Sequence, residues 1–335
     1  MVNITFKNVG QGDSIIIEWK EGSLYKIGII DCNQISSSDN PVLDHIIDTE
    51  TKEIEFILLS HPHKDHYSGF LSLIKYCIEN QIVIKRFLHT GIVSIDYLKA
   101  ASRSVVEIKE LANLYKLLMD LRDKGDLIMN SIDDNPDTIK NLSDGFKLEF
   151  LAPSSIEIDN YIRGVNFPFD EEHSTSNPNG NWLCSIIKIH NDNTSVLLSS
   201  DAESQVLNRL NKKNGRLKSQ KAILVQVPHH GSSKNLNKTF WTGLSKYQKT
   251  YAVISVGKNS YRHPSKEVTD FFNAHPNYLL ERTDLSYPIS EKAISNSASL
   301  DIISEKINPS TVSATDKKSI KELSYQVSND LCIKN

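Results

Sequence analysis

The chain has 335 residues, of which 39% are hydrophobic, and its 38 lysines and arginines nearly balance 41 aspartates and glutamates. That is ample for a two-sheet core with covering helices, in one large domain or two small ones. No run of roughly eighteen apolar residues occurs, which excludes a membrane-spanning helix; no basic-then-apolar leader is read at the start, and four scattered cysteines (32, 77, 184 and 332) without a CxxC pair exclude a disulfide framework and point to reduced thiols in a cytoplasm.

In chain order, residues 4–6, 14–19 and 26–31 alternate or run apolar like strands of a meander. Residues 41–49 fit a short helix, and 54–60 (IEFILLS) fit a buried strand running into a turn. Residues 68–80 carry Phe70, Leu71, Leu73, Ile74 and Cys77 at nearly helical spacing, and 83–89 read as a strand. Residues 95–124 form one long amphipathic helix or a helix pair, with Ile108, Leu111, Leu114, Tyr115, Leu118 and Leu121 along one face. Such a helix more often covers a sheet than binds a partner. Strands at 147–151 and 183–189 open the second half. Between them, 154–181 is irregular, and a loop of that length suits a substrate lid. Residues 1–307 are expected to form the main domain. Residues 308–335 make a polar tail, flexible or a docking segment, with a short helix at 317–327.

The most informative stretch is His61-Pro62-His63-Lys64-Asp65-His66, three imidazoles and a carboxylate within six residues, directly after a stiff strand. Imidazole suits Zn, Mn and Fe, and a hard Asp oxygen helps to divide two ions between two half-sites. A polar turn with incidental histidines would leave these residues without further ligands elsewhere. Yet Asp201 ends SVLLSSD, His229-His230-Gly231-Ser232 follows AILVQVP, and His263-Pro264 follows AVISVGKNSYR. Each lies just past the end of an expected strand, where binding residues on a rigid sheet gather.

These residues carry a resemblance. NVGQGDSIIIEW, GIIDCN, HPHKDHYSG, SVLLSSDAE, VPHHGS and SVGKNSYRHPS occur in the order in which similar motifs occur in the metallo-β-lactamase superfamily. Within it they resemble the branch containing the hydrolase domain of the DNA-uptake protein ComEC, over residues 2–303. The resemblance implies an αββα sandwich, an α/β fold with two mixed sheets packed face to face and helices outside. It implies His61 and His63 on one divalent ion, Asp65 and His66 on a second, Asp201 bridging, and His263 completing the second site. The ions would be Zn or Mn, roughly 3.5–4 Å apart, activating a hydroxide as nucleophile, with Asp65 orienting it. His229, with His230 sharing the work, would stabilise the attacked group or protonate the leaving oxygen. Asp13 and Asp31 would brace the metal-binding loop through hydrogen bonds, and Gly10, Gly12 and Gly69 would allow close turns beside it. The chain departs from many relatives in lacking a third histidine for the first ion near Asn181-Trp182-Leu183-Cys184-Ser185; the alternatives are His173, His89 or no third histidine, the two being otherwise ordinary surface or turn residues.

Substrate is less legible. Residues 204–266 hold thirteen lysines and arginines and no acid, among them Lys212, Lys213 and Arg216. Either these cations rim the metal site and attract an anion such as a phosphodiester, or they are solvated away from it. The expected function is a metal-dependent phosphodiesterase or nuclease acting on DNA or a nucleotide. The alternatives are hydrolysis of a phosphocholine ester, lactone or thioester, and a metal-bearing sensor or partner-activated subunit docking through the tail or residues 95–124. A choline-type pocket would require Trp182, Trp241, Tyr251 and Tyr261 to converge on the metals.

Overall fold

The computed structural model describes residues 1–138, 140–142, 145–166, 179–212, 215–285, 322–328 and 331–335. His173, Lys213 and residues 308–321 of the expected tail lie outside them. The first half supplies β1 (Val2–Lys7), β2 (Ile15–Glu21), β3 (Leu24–Ile30), β4 (Glu53–Ile54), β5 (Phe56–Leu59), β6 (Val83–Ile84), β7 (Arg86–His89) and β8 (Ile128–Ser131). The second supplies β9 (Lys140–Asn141), β10 (Lys147–Ala152), β11 (Ile186–His190), β12 (Thr194–Leu198), β13 (Lys221–Gln226), β14 (Lys246–Ile254) and β15 (Tyr278–Arg282). The last described residues form β16 (Glu322–Val327) and β17 (Cys332–Lys334).

Two mixed sheets result, in the orders β17-β16-β1-β2-β3-β5-β7-β8 and β15-β14-β13-β12-β11-β10-β9, while β4 and β6 pair separately. In the first sheet β17 to β3 are antiparallel and β3, β5, β7 and β8 parallel. The second runs parallel from β15 to β12 and antiparallel from there to β9.

Because side chains alternate faces along a strand, a strand that is apolar throughout feeds two cores. Ile15 and Ile17 of β2 enter one cluster and Ile16 another; Leu58 of β5 joins the first, Ile57 and Leu59 the second. The first cluster lies between the sheets, joining Ile4, Phe6 and Tyr325 to Leu148, Ile187, Val196 and Val253. The second packs the first sheet under α1 (Pro41–Asp48), α2 (Lys64–Tyr67), α3 (Phe70–Glu79), α4 (Ile95–Ala101) and α5 (Val105–Lys124). After α6 (Ser155–Asn166), the third core packs the second sheet under α7 (Ser204–Lys212), α8 (Gly215–Lys218), α9 (Lys238–Gly243) and α10 (Lys266–Ala274). Three cores between four layers make the αββα sandwich.

Of the two readings open for residues 95–124 the helix pair is the one found, because Ser102 and Ser104 adopt extended backbone and Ser104 Oγ caps α5 by accepting from Glu107 N. Two local expectations are corrected. Residues 155–166 within the expected irregular loop are helix α6. Residues 322–327 are strand β16, not helix: Leu323, Tyr325 and Val327 alternate inward and the strand pairs with β1 along its whole length.

Candidate metal centre

The parallel strands of both sheets end at one rim of the sandwich, and the loops beyond β3, β5, β12 and β13 meet there. Ser60 Oγ and Ser200 Oγ, 2.8 Å apart, and the Ser185 N–H to Ser60 carbonyl bond, 2.9 Å, join the sheets at this rim. The turns are strained: Asp31, Ser200, His229, His230 and Arg262 all have φ between +42° and +62°. Non-glycine residues rarely adopt this region, and clusters of them mark functional turns. Gly12 is required because a Cβ there would lie 2.4 Å from the Asp65 carbonyl.

Hydrogen bonding fixes which ring nitrogens face the centre. Ser60 Oγ donates to Asp31 Oδ2 at 2.6 Å, so toward His61 Nδ1, 3.1 Å away, it can only accept. His61 therefore carries its proton on Nδ1 and presents Nε2. His66 Nδ1 donates to Asp31 Oδ2 at 2.7 Å, and His230 Nδ1 to the Ser255 carbonyl at 2.9 Å. Both present Nε2 as well. His66 Nε2 lies 3.6 Å from Asp201 Oδ1 and 3.9 Å from Asp65 Oδ1; His230 Nε2 lies 3.5 Å from Asp201 Oδ1 and 3.6 Å from Asp65 Oδ2. On the other side of Asp201, His61 Nε2 is 3.9 Å from Oδ2 and 3.0 Å from His63 Nδ1. Two donor groups thus share Asp201, one of Asp65, His66, Asp201 and His230 and one of His61, His63 and Asp201, each mutually within 4.8 Å; Asp13, Asp31 and His66 make a third such set.

These residues fit metal ions. His66 Nε2, His230 Nε2 and Asp201 Oδ1 are buried and make no hydrogen bond among the described residues. Lone pairs of two imidazoles 3.0 Å apart repel unless a proton or a metal ion sits between them. Asp13, Asp31, Asp65 and Asp201 form no ion pair with lysine or arginine among the described residues. Buried carboxylates persist where they are paired or hold metal. Titration follows the same surplus. Burial disfavours a charged His66, but Asp31 and Asp201 outweigh it and hold the imidazole well above its ordinary value. Burial likewise opposes charge on His230, yet Asp201, Asp65 and Asp13 push it up to about 9. His63 is driven down to about 4 by burial.

Of the expected site residues, His61, His63, Asp65, His66 and Asp201 converge. Asp31 braces His66 and Ser60, and Asp13 accepts from Gln226 Nε2 at 2.8 Å, so both buttress the centre. His230 stands with Asp65, His66 and Asp201, where His263 was expected. The His263 ring instead stacks on Tyr261 at 6.0 Å and lies 6.0 Å from the ring of His229, outside both donor groups. His229 Nε2 is 3.5 Å from Asp201 Oδ2, and the Asn181 amide lies 3.4 Å from its Nδ1. His89 is no ligand here: it is buried against Phe87 and Tyr115, bonded to the Gly91 carbonyl at 2.9 Å. Sequence reasoning missed Gly180, where any Cβ would meet His63 Nε2 at 2.6 Å, and Asn181 beside it.

Of the expected basic substrate residues, Lys213 lies outside the described residues, and Lys212 and Arg216 do not line the cleft beside His63 and Asp65. Arg216 bonds Glu149 Oε1 and the Asp134 and Phe150 carbonyls, tying α8 to β10. Arg209 pairs with Glu157 and Asp134, Lys238 with Glu267, and Lys266 with Asp270. Lys212 is exposed at the end of α7. The aromatics do not converge either. Trp241 is fully buried with Phe240, Phe272 and Tyr278, and Tyr251 packs on Tyr325; Tyr261 alone of the four lines the cleft at the metal centre.

No protein-family model matches the chain, and no curated protein does. The structure is similar to solved proteins at low sequence identity. A diphosphatase from the PhnP family is 12% identical, with a TM-score of 0.43, over 84% of this chain and 95% of that one. The metallo-beta-lactamase fold protein YhfI from Bacillus subtilis is 10% identical, with a TM-score of 0.44, over 84% and 97%. Zn(2+)-bound PqqB from Methylobacterium extorquens is 9% identical, with a TM-score of 0.44, over 85% and 99%.

Proposed function

We propose that this chain is a metal-dependent hydrolase of the metallo-β-lactamase superfamily, holding two divalent ions, Zn or Mn, and cleaving phosphodiesters. The observation that carries the reading is the convergence of buried, unpartnered His66 Nε2, His230 Nε2 and Asp201 Oδ1 at the rim of the sandwich. His66, His230, Asp65 and one Asp201 oxygen would hold one ion; His61, His63 and the other Asp201 oxygen would hold its neighbour. When bound, the ions would acidify a water and neutralise charge on the attacked group. His229 stands on the open side of Asp201, placed to donate a proton to a leaving oxygen. A cleft at the centre is lined by Lys64, Arg103 and Lys258, which favours an anionic substrate over a quaternary ammonium ester.

The test is turnover of bis-p-nitrophenyl phosphate, single-stranded DNA and double-stranded DNA with Zn or Mn, with Asp201→Ala as control. Cleavage that disappears in the variant supports the reading. Full activity of Asp201→Ala, or no cleavage by wild-type protein with metal bound, refutes the phosphodiesterase assignment.

A further inference from the structure

The cleft beside the metal centre has a volume of about 650 Å³, and His63 and Asp65 form part of its wall. Three separate segments bring cations to that wall: Lys64 from α2, Arg103 from the break between α4 and α5, and Lys258 from the loop after β14. They are not equivalent. Lys64 is engaged by Glu110 at 2.8 Å. Arg103 and Lys258 have no carboxylate partner among the described residues. Arg103 Nη1 donates to Tyr261 Oη at 2.7 Å, and its guanidinium lies 5.8 Å from the centre of that ring. Glu107 shares the wall, but its carboxylate accepts from the backbone N–H of Arg103 at 2.6 Å.

A neutral phenol therefore holds the guanidinium in place and leaves its charge and most of its five donors free. Tyr261 in turn stacks on His263, which approaches His229, so the clamp is fixed to the reacting end of the site. A planar fork with a second cation in the same cleft suits bidentate binding of a phosphate. Gln34 and Ser37 add an amide and a hydroxyl to the lining.

We propose that Arg103 and Lys258 form a subsite for a second phosphate of the substrate, adjacent to the phosphodiester that the metal centre cleaves. The inference rests on the phosphodiesterase reading and narrows it to substrates with at least two phosphates: a nucleic-acid strand, or a nucleotide carrying a phosphate beside its scissile one. A diester with a single phosphate leaves the subsite unused.

The test is fluorescence anisotropy of a labelled phosphorothioate oligothymidylate, which resists cleavage, with full-length zinc-loaded protein over a range of salt. The Arg103→Ala/Lys258→Ala protein is expected to bind at least tenfold more weakly, with a salt slope smaller by about 0.7 for each phosphate it no longer neutralises. Lys212→Ala, outside the cleft, keeps both affinity and slope. Arg103→Lys restores the slope but not the full affinity, which separates loss of charge from misfolding. Thymidine 3′,5′-bisphosphate as competitor distinguishes the sources: displacement weakened in the double variant points to nucleotides, and failure to displace points to a strand. Unchanged binding by the double variant, or no binding by wild type to either ligand, overturns the subsite. Cleavage by wild type alongside unchanged variant binding leaves the hydrolase reading standing and overturns the subsite alone, whereas binding weakened in the double variant without any cleavage sinks the hydrolase reading and with it the subsite's place beside a scissile phosphate.

Discussion

Asn181 decides which nitrogen of His229 carries the proton. Glu203 Oε1, 3.1 Å away, can only accept, so the Asn181 Nδ2 faces it. The second N–H of the same nitrogen is directed at His229 Nδ1, 3.4 Å away, which leaves the His229 proton on Nε2, beside Asp201. Asn181→Asp presents an acceptor to Nδ1 instead. It should lower kcat by about 10²-fold, within the range for a positioned acid, while metal content measured by atomic absorption stays at the wild-type level. Lost metal would instead make Asn181 part of the ligand set. Asp31→Asn tests the opposite kind of support. It weakens the acceptor of both His66 Nδ1 and Ser60 Oγ and should reduce metal affinity by about 10–100-fold in competition with a chromophoric chelator. The candidate donors of the His61–His66 run were legible because they are contiguous and their chemistry is distinctive. Asn181 was not, since a lone asparagine has no motif. The choice of His230 over His263 depended on two successive left-handed residues, His229 and His230, which no side-chain pattern announces.

Strand ends and helix breaks account for the next level. The break that exposes Arg103 had a readable cue: Ser104 and Glu107 stand at the spacing of a helix N-terminus, and Ser104 does cap α5. The apolar face from Ile108 to Leu121 lies wholly within α5 and so left one helix or a pair open. At the end of β7, His89 is a histidine in a promising place that packs against Phe87 and Tyr115 and bonds the Gly91 carbonyl. Burial depresses it to about 4 from an ordinary 6.5. Between those values the unfolded chain takes up a proton that the folded one refuses, so stability falls as pH drops from 6.5 to 4 and is restored as pH rises. The shift corresponds to about 3 kcal/mol across that window. His89→Gln, which removes the titrating group, should flatten this part of the urea-midpoint profile relative to wild type. Parallel profiles for the two proteins would show that His89 contributes none of the slope.

At the scale of the molecule, two sheets must meet squarely for Ser60 and Asp201 to face one another, and the last described strands take part in that meeting. Strand β16 lies beside β1, with Val327 opposite Val2 and Leu323 opposite Phe6. Tyr325 reaches into the core between the sheets, 6.1 Å from the Phe6 ring and 5.1 Å from that of Tyr251 on the opposite sheet. The layer order was expected from the resemblance carried by the ordered motifs, and the strands apolar on both faces agree with it. The role of β16 was not, because ELSYQV is a short alternating run in polar surroundings and its partner lies more than three hundred residues away. If this strand helps to lock the sheets, Tyr325→Ala should lower stability by about 3–5 kcal/mol, as for other large buried aromatics. Tyr325→Phe should be neutral or slightly stabilising, because the buried Tyr325 hydroxyl finds no hydrogen-bond partner among the described residues. Urea unfolding followed by tryptophan fluorescence separates the cases. A midpoint unmoved by Tyr325→Ala would mean that β16 is an appendage, whereas a large drop for Ala with none for Phe assigns the loss to packing between the sheets.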